Sequence, residues 1–298
     1  MSLVIVGSIA LDTIKTPLGE VEDVLGGSAI YASIAGKNFT DVSIVGVVGE
    51  DFPQCHIDLL KDRDINVEGL IKVPGKTFRW KGEYHNFNQA TTLDTQLNVF
   101  AEFQPILTKD CKSNNVTFLG NIHPALQLQV LEQIECSDFV AMDTMNLWID
   151  ITKDELTKVM KRVDLVFINE DEIKMYADKS NVFEAIDDVL ALGVKFVVVK
   201  RGEYGSVVAS AEELFFMPVY PVRKVVDPTG AGDSFAGGFT GFLASIKKYD
   251  FEAMKLATLY GTITAANNIQ SFSVENLQHL SRIEIETMGD ELRQWIKI

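Results

Sequence analysis

The sequence contains few of the residues that cross-link small proteins or bind transition metals. Its three cysteines, Cys55, Cys111 and Cys136, are odd in number and far apart, which excludes a disulfide framework and a paired-cysteine metal site. The four histidines are scattered, without the spacing of a zinc-binding helix. We therefore expect a protein of a reducing compartment that uses no transition metal.

Long apolar runs and basic clusters are also missing. No run reaches the roughly 18 apolar residues of a membrane helix, and the first residues lack the basic and apolar segments of a signal peptide. The formal net charge of −15 would repel a nucleic-acid backbone, and no Lys- or Arg-rich run offsets it. We expect a cytoplasmic protein with neither membrane nor nucleic acid as partner. A single nucleotide stays compatible, because backbone donors and a metal ion can hold one triphosphate.

Short apolar runs alternate regularly with helical stretches along the chain. Runs typical of buried strands lie at 3–6, 42–48, 116–119, 139–142, 165–168 and 196–199, and a hairpin is indicated at 207–209 and 214–219. Helical patterns lie at 28–37, 51–63, 125–134, 153–161, 182–192, from 235 onward, at 251–268 and at 283–296. This order predicts an α/β fold with three layers, in which helices cover both faces of a mostly parallel central sheet.

One segment departs from this rhythm. Between 68 and 103 aromatic and polar residues alternate as in half-exposed strands, which predicts a small β insertion in one domain that spans 1–298. The insertion carries four aromatic side chains that could stack on a base or a sugar: Phe78, Trp80, Tyr84 and Phe87. Packing of the same side chains on the body or on another subunit is the structural alternative.

The most informative segment is Asp227-Pro-Thr-Gly-Ala-Gly-Asp233, where an extended approach runs through glycines into a helix. Gly230 and Gly232, on either side of Ala231, let backbone N–H groups turn toward one point, to which the helix adds its positive end. Asp233 would accept a proton from an attacking hydroxyl while these N–H groups hold a phosphoryl group. The alternative is a tight loop with Asp233 as a helix-capping residue.

This segment resembles the C-terminal signature of the PfkB family of ribokinase-like carbohydrate kinases, and further elements of that family follow in the expected order. The resemblance implies a three-layer ribokinase-like fold with a small β lid, ATP and Mg²⁺ as cofactors, Asp233 as the catalytic base and Gly230 to Gly232 as the anion hole. By the same resemblance Asp12, after the first strand, and the pair Gly26-Gly27 line the acceptor pocket. Tyr31 lies after these glycines at a position where ribokinases contact the sugar, and we expect it to line the acceptor pocket as well.

The nucleotide site is likewise implied by resemblance. Asn169 and Glu172 match the family's Asn-x-x-Glu element, and Glu172 would act on Mg²⁺ through water, the oxygen-rich environment that Mg²⁺ prefers. A capped helix with an acidic first turn is the structural alternative.

The segment from Lys200 to Gly205 matches the family's glycine turn, which lies along the nucleotide. By this resemblance Gly202 and Gly205 permit close approach of the phosphates and the ribose. A plain hairpin turn is the alternative. The family often ties the residue that corresponds to Asp227 to a monovalent-cation site, for which K⁺ is the expected ion.

The sequence also departs from the ribokinase pattern. Ribokinases follow the paired glycines with a lysine and then an asparagine that read furanose hydroxyls, whereas Ser28-Ala-Ile-Tyr31 stands here. This makes a free pentose a poorer acceptor and leaves sugar and ribonucleoside both open.

The resulting prediction is an ATP-dependent kinase that phosphorylates a primary hydroxyl, with a homodimer formed through the lid as a further expectation. A catalytically inactive, ligand-binding relative is the main alternative. A dinucleotide-dependent enzyme is disfavoured, because only Gly7 follows the first strand where such enzymes need three spaced glycines.

Overall fold

Strands rich in β-branched residues form the centre of the molecule. The computed structural model describes residues 2–87 and 89–297. The strands within these residues are β1 (Leu3–Val6), β2 (Ala10–Thr16), β3 (Gly19–Gly26), β4 (Val42–Gly49), β5 (Asn66–Val73), β6 (Phe78–Asn86), β7 (Gln89–Gln96), β8 (Ser113–Leu119), β9 (Cys136–Asp143), β10 (Leu165–Asn169), β11 (Phe196–Lys200), β12 (Ser206–Ala209) and β13 (Leu214–Met217).

Helices connect most of the parallel strands. They are α1 (Ser28–Lys37), α2 (Gln54–Asp62), α3 (Pro124–Gln133), α4 (Asn146–Ile151), α5 (Lys153–Met160), α6 (Glu170–Ala177), α7 (Val182–Leu190), α8 (Ala231–Ile246), α9 (Phe251–Asn268) and α10 (Arg282–Trp295). Short 3-10 helices lie at Asn98–Glu102, Lys109–Cys111, Gly202–Tyr204 and Leu277–His279.

Two sheets are formed within the described residues. The larger one has the strand order β13-β12-β11-β10-β9-β8-β1-β4-β5 and is parallel except for the β12–β13 hairpin and its pairing with β11. The smaller sheet has the order β3-β2-β6-β7, with β2 and β6 parallel to each other. The predicted three-layer α/β fold with a small β appendage is confirmed.

The large sheet separates two hydrophobic cores. Successive strand residues point to opposite faces, so Leu3 and Ile5 of β1 enter one core while Val4 and Val6 enter the other. The first core also receives side chains from α1, α8 and α9, and the second from α3, α5 and α7. Helices on both faces require strands that are apolar on both sides, which explains why β4 is buried along its whole length.

The small sheet draws on two separate parts of the sequence. The predicted insertion at 68–103 supplies β6 and β7, whereas β2 and β3 come from residues 10–26, for which the sequence analysis had no strands. Part of the insertion, β5, extends the large sheet instead. Because a connection of only residues 7–9 joins the end of β1 to β2, the small sheet begins at the carboxyl edge of the large one.

Helix α2 begins at Gln54 rather than at Asp51, the first residue of the helical pattern at 51–63. Pro53 occupies the position before the helix, and its fixed φ and missing N–H suit that place. The Asp51 carboxylate instead accepts hydrogen bonds from Thr77 N and Oγ1, both at 2.7 Å, and from Arg79 Nη1 at 2.7 Å. These bonds fasten the start of β6 to the body of the protein.

The fold brings polar residues to one edge of the large sheet. In parallel strands all carboxyl ends lie on the same side, and β9, β10 and β11 end there in Asp143, Asn169 and Lys200. Among the described residues, no helix combines the length and apolarity needed to cross a membrane.

Candidate active site

Helix α8 begins in a loop whose backbone is held by one of its own side chains and by a side chain of α9. Asp227 Oδ1 accepts from Thr229 N at 2.9 Å, and the amide of Asn268 donates to Thr229 O at 2.8 Å. Gly230 is left-handed, with φ of 74°, and a Cβ there would lie 2.4 Å from the ring of Tyr31. Only glycine fits this position without strain.

The predicted anion hole lies at the first N–H groups of α8. A helix leaves its first N–H groups without intrahelical acceptors, which makes its N-terminus favourable for anions. Ala231 N is already engaged, because it donates to Pro228 O at 3.1 Å. The N–H of Asp233 is engaged as well, with its own carboxylate. The donor that remains for a ligand in this turn is therefore that of Gly232, while Gly230 and Ala231 shape the turn.

Asp233 is the third residue of α8, and the pKa of its carboxyl is shifted far from its ordinary value. Burial raises the pKa of its carboxyl to about 7; the charge of Asp143 acts in the same direction and that of Lys200 in the opposite one. A base works best when its pKa is near the working pH. The position and the pKa both suit proton transfer at neutral pH.

Asp12 lies on β2 and is 4% exposed. A Cβ at Gly26 would lie 1.9 Å from Asp12 Oδ2, so the glycine makes room for the carboxyl. Burial, helped by the charges of Asp227 and Asp233, raises the pKa of Asp12 to about 8, and a hydrogen bond from Gly27 N partly offsets this. Three of the predicted site carboxyls therefore lie close enough to influence one another.

The paired glycines close a tight junction between β1 and α1. Gly27 has φ of 99°, and a Cβ there would lie 2.5 Å from Ser8 O. Ser8 and Ser28 exchange hydrogen bonds, each backbone N–H donating to the other's hydroxyl at 3.0 Å. This junction, which the sequence analysis did not identify, holds α1 so that Tyr31 faces the α8 loop.

Two tyrosines line the space between the small sheet and the α8 loop. Tyr31 is 1% exposed, and its hydroxyl has no hydrogen-bond partner in the described part of the chain. Tyr84 of β6 accepts a hydrogen bond from Thr229 Oγ1 at 3.1 Å. Burial raises the pKa of Tyr84 to about 12 and that of Tyr31 well above its ordinary value, so both are neutral hydroxyls.

Asn169 and Glu172 form a capping box at the start of α6. The Asn169 side chain accepts from Glu172 N at 2.8 Å, and the Glu172 carboxylate accepts from Asn169 N at 2.8 Å. The two residues therefore cap α6, as the structural alternative in the sequence analysis had it. Burial raises the pKa of Glu172 to about 7, while the charge of Lys200 lowers it.

The chemistry of Asn169 and Glu172 fits a water-mediated contact with Mg²⁺. The Glu172 carboxylate already accepts backbone hydrogen bonds from Asn169 and Asn146, so contact with the ion through water suits it better than direct coordination. No cluster of three or more His, Cys, Asp or Glu side chains that could hold a metal ion by itself occurs in residues 2–87 and 89–297.

Lys200 forms an ion pair that the sequence analysis did not anticipate. Its Nζ lies 2.9 and 2.7 Å from the two carboxylate oxygens of Asp143, which is 3% exposed. A Cβ at Gly232 would lie 3.1 Å from Lys200 Nζ, so the ammonium stands beside the anion hole. The only signal for Asp143 in the sequence is its position at the end of a buried strand.

The two glycines of the turn after β11, Gly202 and Gly205, have different surroundings. Gly205 has φ of 83°, and a Cβ there would lie 2.1 Å from Met217 O, so it serves the β12–β13 hairpin. Gly202 has φ of 55°, and a Cβ there would meet nothing within 4 Å. Of the two, only Gly202 faces open space that a nucleotide could use.

The aromatic residues of β6 share the face that carries Asp12. Asp12 pairs with Trp80 in the parallel register of β2 and β6, and alternate residues of a strand point the same way. Phe78, Trp80 and Tyr84 therefore lie on this face, with the Trp80 ring over Gly82 and its Nε1 donating to Thr92 Oγ1 at 3.2 Å. Phe87 follows the end of β6 and borders residue 88, which is outside the described residues.

Comparison with known proteins adds evidence of a different kind. A match to the pfkB family of carbohydrate kinases spans residues 2–276. The chain is 30% identical over 246 residues to a cytidine kinase of Thermococcus kodakarensis, covering 80% of this chain and 87% of that protein. It is 26% identical over 245 residues to a nucleoside kinase of Methanocaldococcus jannaschii, covering 81% and 78% of the two chains.

Solved structures share the fold. The M. jannaschii nucleoside kinase, described as an archaeal member of the ribokinase family, superposes with a TM-score of 0.79 at 22% identity over 98% of this chain and 99% of its own. A putative ribokinase II from E. coli in complex with ATP and Mg²⁺ gives a TM-score of 0.80 at 20% identity, over 97% and 99%.

Proposed function

Because this chain belongs to the pfkB family of carbohydrate kinases, it is an ATP-dependent phosphotransferase with an alcohol group as acceptor, and we propose that it phosphorylates a primary hydroxyl of a ribonucleoside with Asp233 as general base. The observation that carries the proposal is the carboxyl of Asp233 directly after Gly232, with a pKa raised to about 7. A base and an anion-binding backbone are thereby joined in one turn of α8.

The reaction follows from this arrangement. Asp12 orients the acceptor hydroxyl, and Asp233 takes its proton as the hydroxyl oxygen attacks the γ-phosphorus of ATP in line. The new O–P bond forms while the bond to the β–γ bridging oxygen breaks, and ADP leaves with the electron pair. The backbone N–H of Gly232 and the N-terminus of α8 stabilise the charge on the equatorial oxygens.

The nucleotide would lie along the carboxyl edge of the large sheet. Gly202 offers the open turn beside which its phosphates or ribose could pass, and Asn169 with Glu172 would hold Mg²⁺ through water. Bound with ATP, Mg²⁺ would neutralise phosphate charge. A potassium ion near Asp227 and a homodimer through the small sheet stay predictions.

Three observations favour a nucleoside over a free sugar. The chain is similar to a cytidine kinase and a nucleoside kinase over most of its length. The small sheet, which we propose acts as a lid, places Trp80 on the face that carries Asp12, where an indole ring could stack on a base. Ser28 and Tyr31 also replace the lysine and asparagine that ribokinases use for pentose.

The proposal is tested with a panel of ribonucleosides, hexoses and pentoses, each assayed for acceptor-dependent ADP release. We expect the highest kcat/KM with a ribonucleoside, and ³¹P NMR should identify its 5′-monophosphate as product. A higher kcat/KM with a sugar would replace the nucleoside by a sugar acceptor. Binding of nucleosides without ADP release would instead identify a catalytically inactive relative.

A further inference from the structure

Lys200 and Asp143 form a buried ion pair at the edge of the large sheet where α8 begins. The two residues end β11 and β9, and β10 runs between these strands. Lys200 Nζ donates to both carboxylate oxygens, at 2.9 and 2.7 Å. The side chains are only 19% and 4% exposed. Removing two charges from water is costly, so such a pair contributes little net stability. Its presence therefore suggests a role other than stabilising the fold.

The ammonium group has donor capacity beyond this pair. Lys carries three N–H donors, and two of them point to Asp143. Gly232 is a close neighbour of this ammonium, with 3.1 Å between Nζ and the position of a Cβ on that glycine. The third donor is therefore available beside the N–H group that we assign to the phosphoryl group.

The surrounding charges keep Lys200 protonated. Burial alone would lower its pKa, but Asp143 and Glu172, followed by Asp233, outweigh burial and raise it. A fixed cation at this place adds to the positive end of α8, which is the kind of charge that stabilises a transferring phosphoryl group.

A second Lys–Asp pair, at the start of β11, serves as an internal comparison. Lys195, immediately before β11, lies 2.7 Å from Asp164, but its side chain is 66% exposed. Surface pairs of this kind have little energetic effect. The two pairs use the same residue types at opposite ends of β11, and only the one at the carboxyl edge is buried and beside an anion-binding helix.

We propose that Lys200 is a catalytic residue whose ammonium contacts the transferring phosphoryl group beside Gly232, and that Asp143 is the positioning residue that holds it there. The inference rests on the proposed kinase function and extends it to two residues. Lys200 keeps its proton throughout, so its effect is purely electrostatic. Asp143 acts through Lys200 and touches no substrate.

The test compares Lys200→Met, Lys200→Arg and Asp143→Asn with the matched control Lys195→Met. For Lys200→Met we expect kcat to fall by about 10²- to 10³-fold, with the acceptor KM changed by less than about threefold. Its affinity for ATP should fall by about tenfold more than its affinity for ADP, because only ATP has the γ-phosphoryl group. Arg should restore part of kcat, and Lys195→Met should match the wild type.

A purely structural role makes different predictions, and the double variant Lys200→Met/Asp143→Asn separates the two. Removing one charge leaves the other buried and unpaired, whereas removing both restores much of the lost thermal stability. We expect the double variant to regain Tm while kcat stays as low as in Lys200→Met. Recovery of kcat together with Tm would overturn the inference.

The result is also distinguishable from failure of the proposed function. If the wild type is active and Asp233→Asn is not, but Lys200→Met turns over within about threefold of the wild type, only the role of Lys200 is refuted. If the wild type transfers phosphate to no alcohol, the kinase proposal fails. In that case an unchanged ratio of ATP to ADP affinity in Lys200→Met would refute the phosphate contact as well.

Discussion

Replacing Gly230 by alanine should destabilise the fold, for reasons visible at one position. The residue has φ of 74°, and a Cβ would lie 2.4 Å from the Tyr31 ring. A left-handed alanine costs about 1–2 kcal/mol. Overpacking a buried site adds about 1–3 kcal/mol, because Tyr31 is 1% exposed and must move. The free energy of unfolding should therefore fall by about 2–5 kcal/mol.

The neighbouring glycine provides the contrast. Gly232 has no left-handed backbone, and a Cβ there would meet only the flexible end of Lys200, at 3.1 Å. Gly232→Ala should leave the free energy of unfolding within about 1 kcal/mol of the wild type, yet lower kcat by about tenfold or more because the methyl group occupies phosphoryl space. Urea unfolding and steady-state kinetics on both variants make the comparison. Equal stability of Gly230→Ala and wild type would refute the packing argument.

Three further predictions concern the base, the acceptor and the nucleotide. With a pKa of about 7 for Asp233, kcat/KM should fall tenfold per pH unit below about 7, because the base must be deprotonated; a flat profile down to pH 5 would contradict this. Trp80→Ala should lower kcat/KM for a ribonucleoside by about 10- to 100-fold. Replacing the exposed Trp295 by alanine should leave kcat/KM unchanged, and equal effects of the two variants would refute the stacking role of Trp80. Gly202→Asn should weaken ATP binding with little loss of Tm, because asparagine tolerates the left-handed backbone and a Cβ there meets nothing within 4 Å. Gly205→Asn should lower Tm, because a Cβ there would lie 2.1 Å from Met217 O. Unchanged ATP affinity in Gly202→Asn would place the nucleotide elsewhere.

Most of the large sheet, though not β5, could be predicted because its signals are local. Buried parallel strands are short apolar runs, and the helices at 28–37 and 251–268 have the bounds that the sequence pattern indicated. The small sheet was only half predicted. Strands β2 and β3 mix polar and apolar residues, and β2 pairs with β6 across a long separation in sequence, so no local period reports that contact.

In the candidate site, too, residues of one local motif could be predicted, whereas contacts between distant segments could not. Asp233, Gly230 and Gly232 belong to one contiguous motif, which the sequence displays directly. Asp143 and the Ser8–Ser28 exchange become visible only when separate strands and helices come together. A single carboxylate or serine at a strand end is too common to indicate function by itself.

The most direct test of the account is the turnover of Asp233→Asn with saturating ATP and the best acceptor, measured beside Asp290→Asn, an exposed aspartate on α10. The amide keeps the shape of the carboxyl but cannot accept a proton. We predict that kcat falls by about 10²- to 10⁴-fold in Asp233→Asn, with ATP affinity within a few fold of the wild type, and that Asp290→Asn is unaffected. Near wild-type turnover by a folded Asp233→Asn protein would contradict the assignment of Asp233 as the catalytic base.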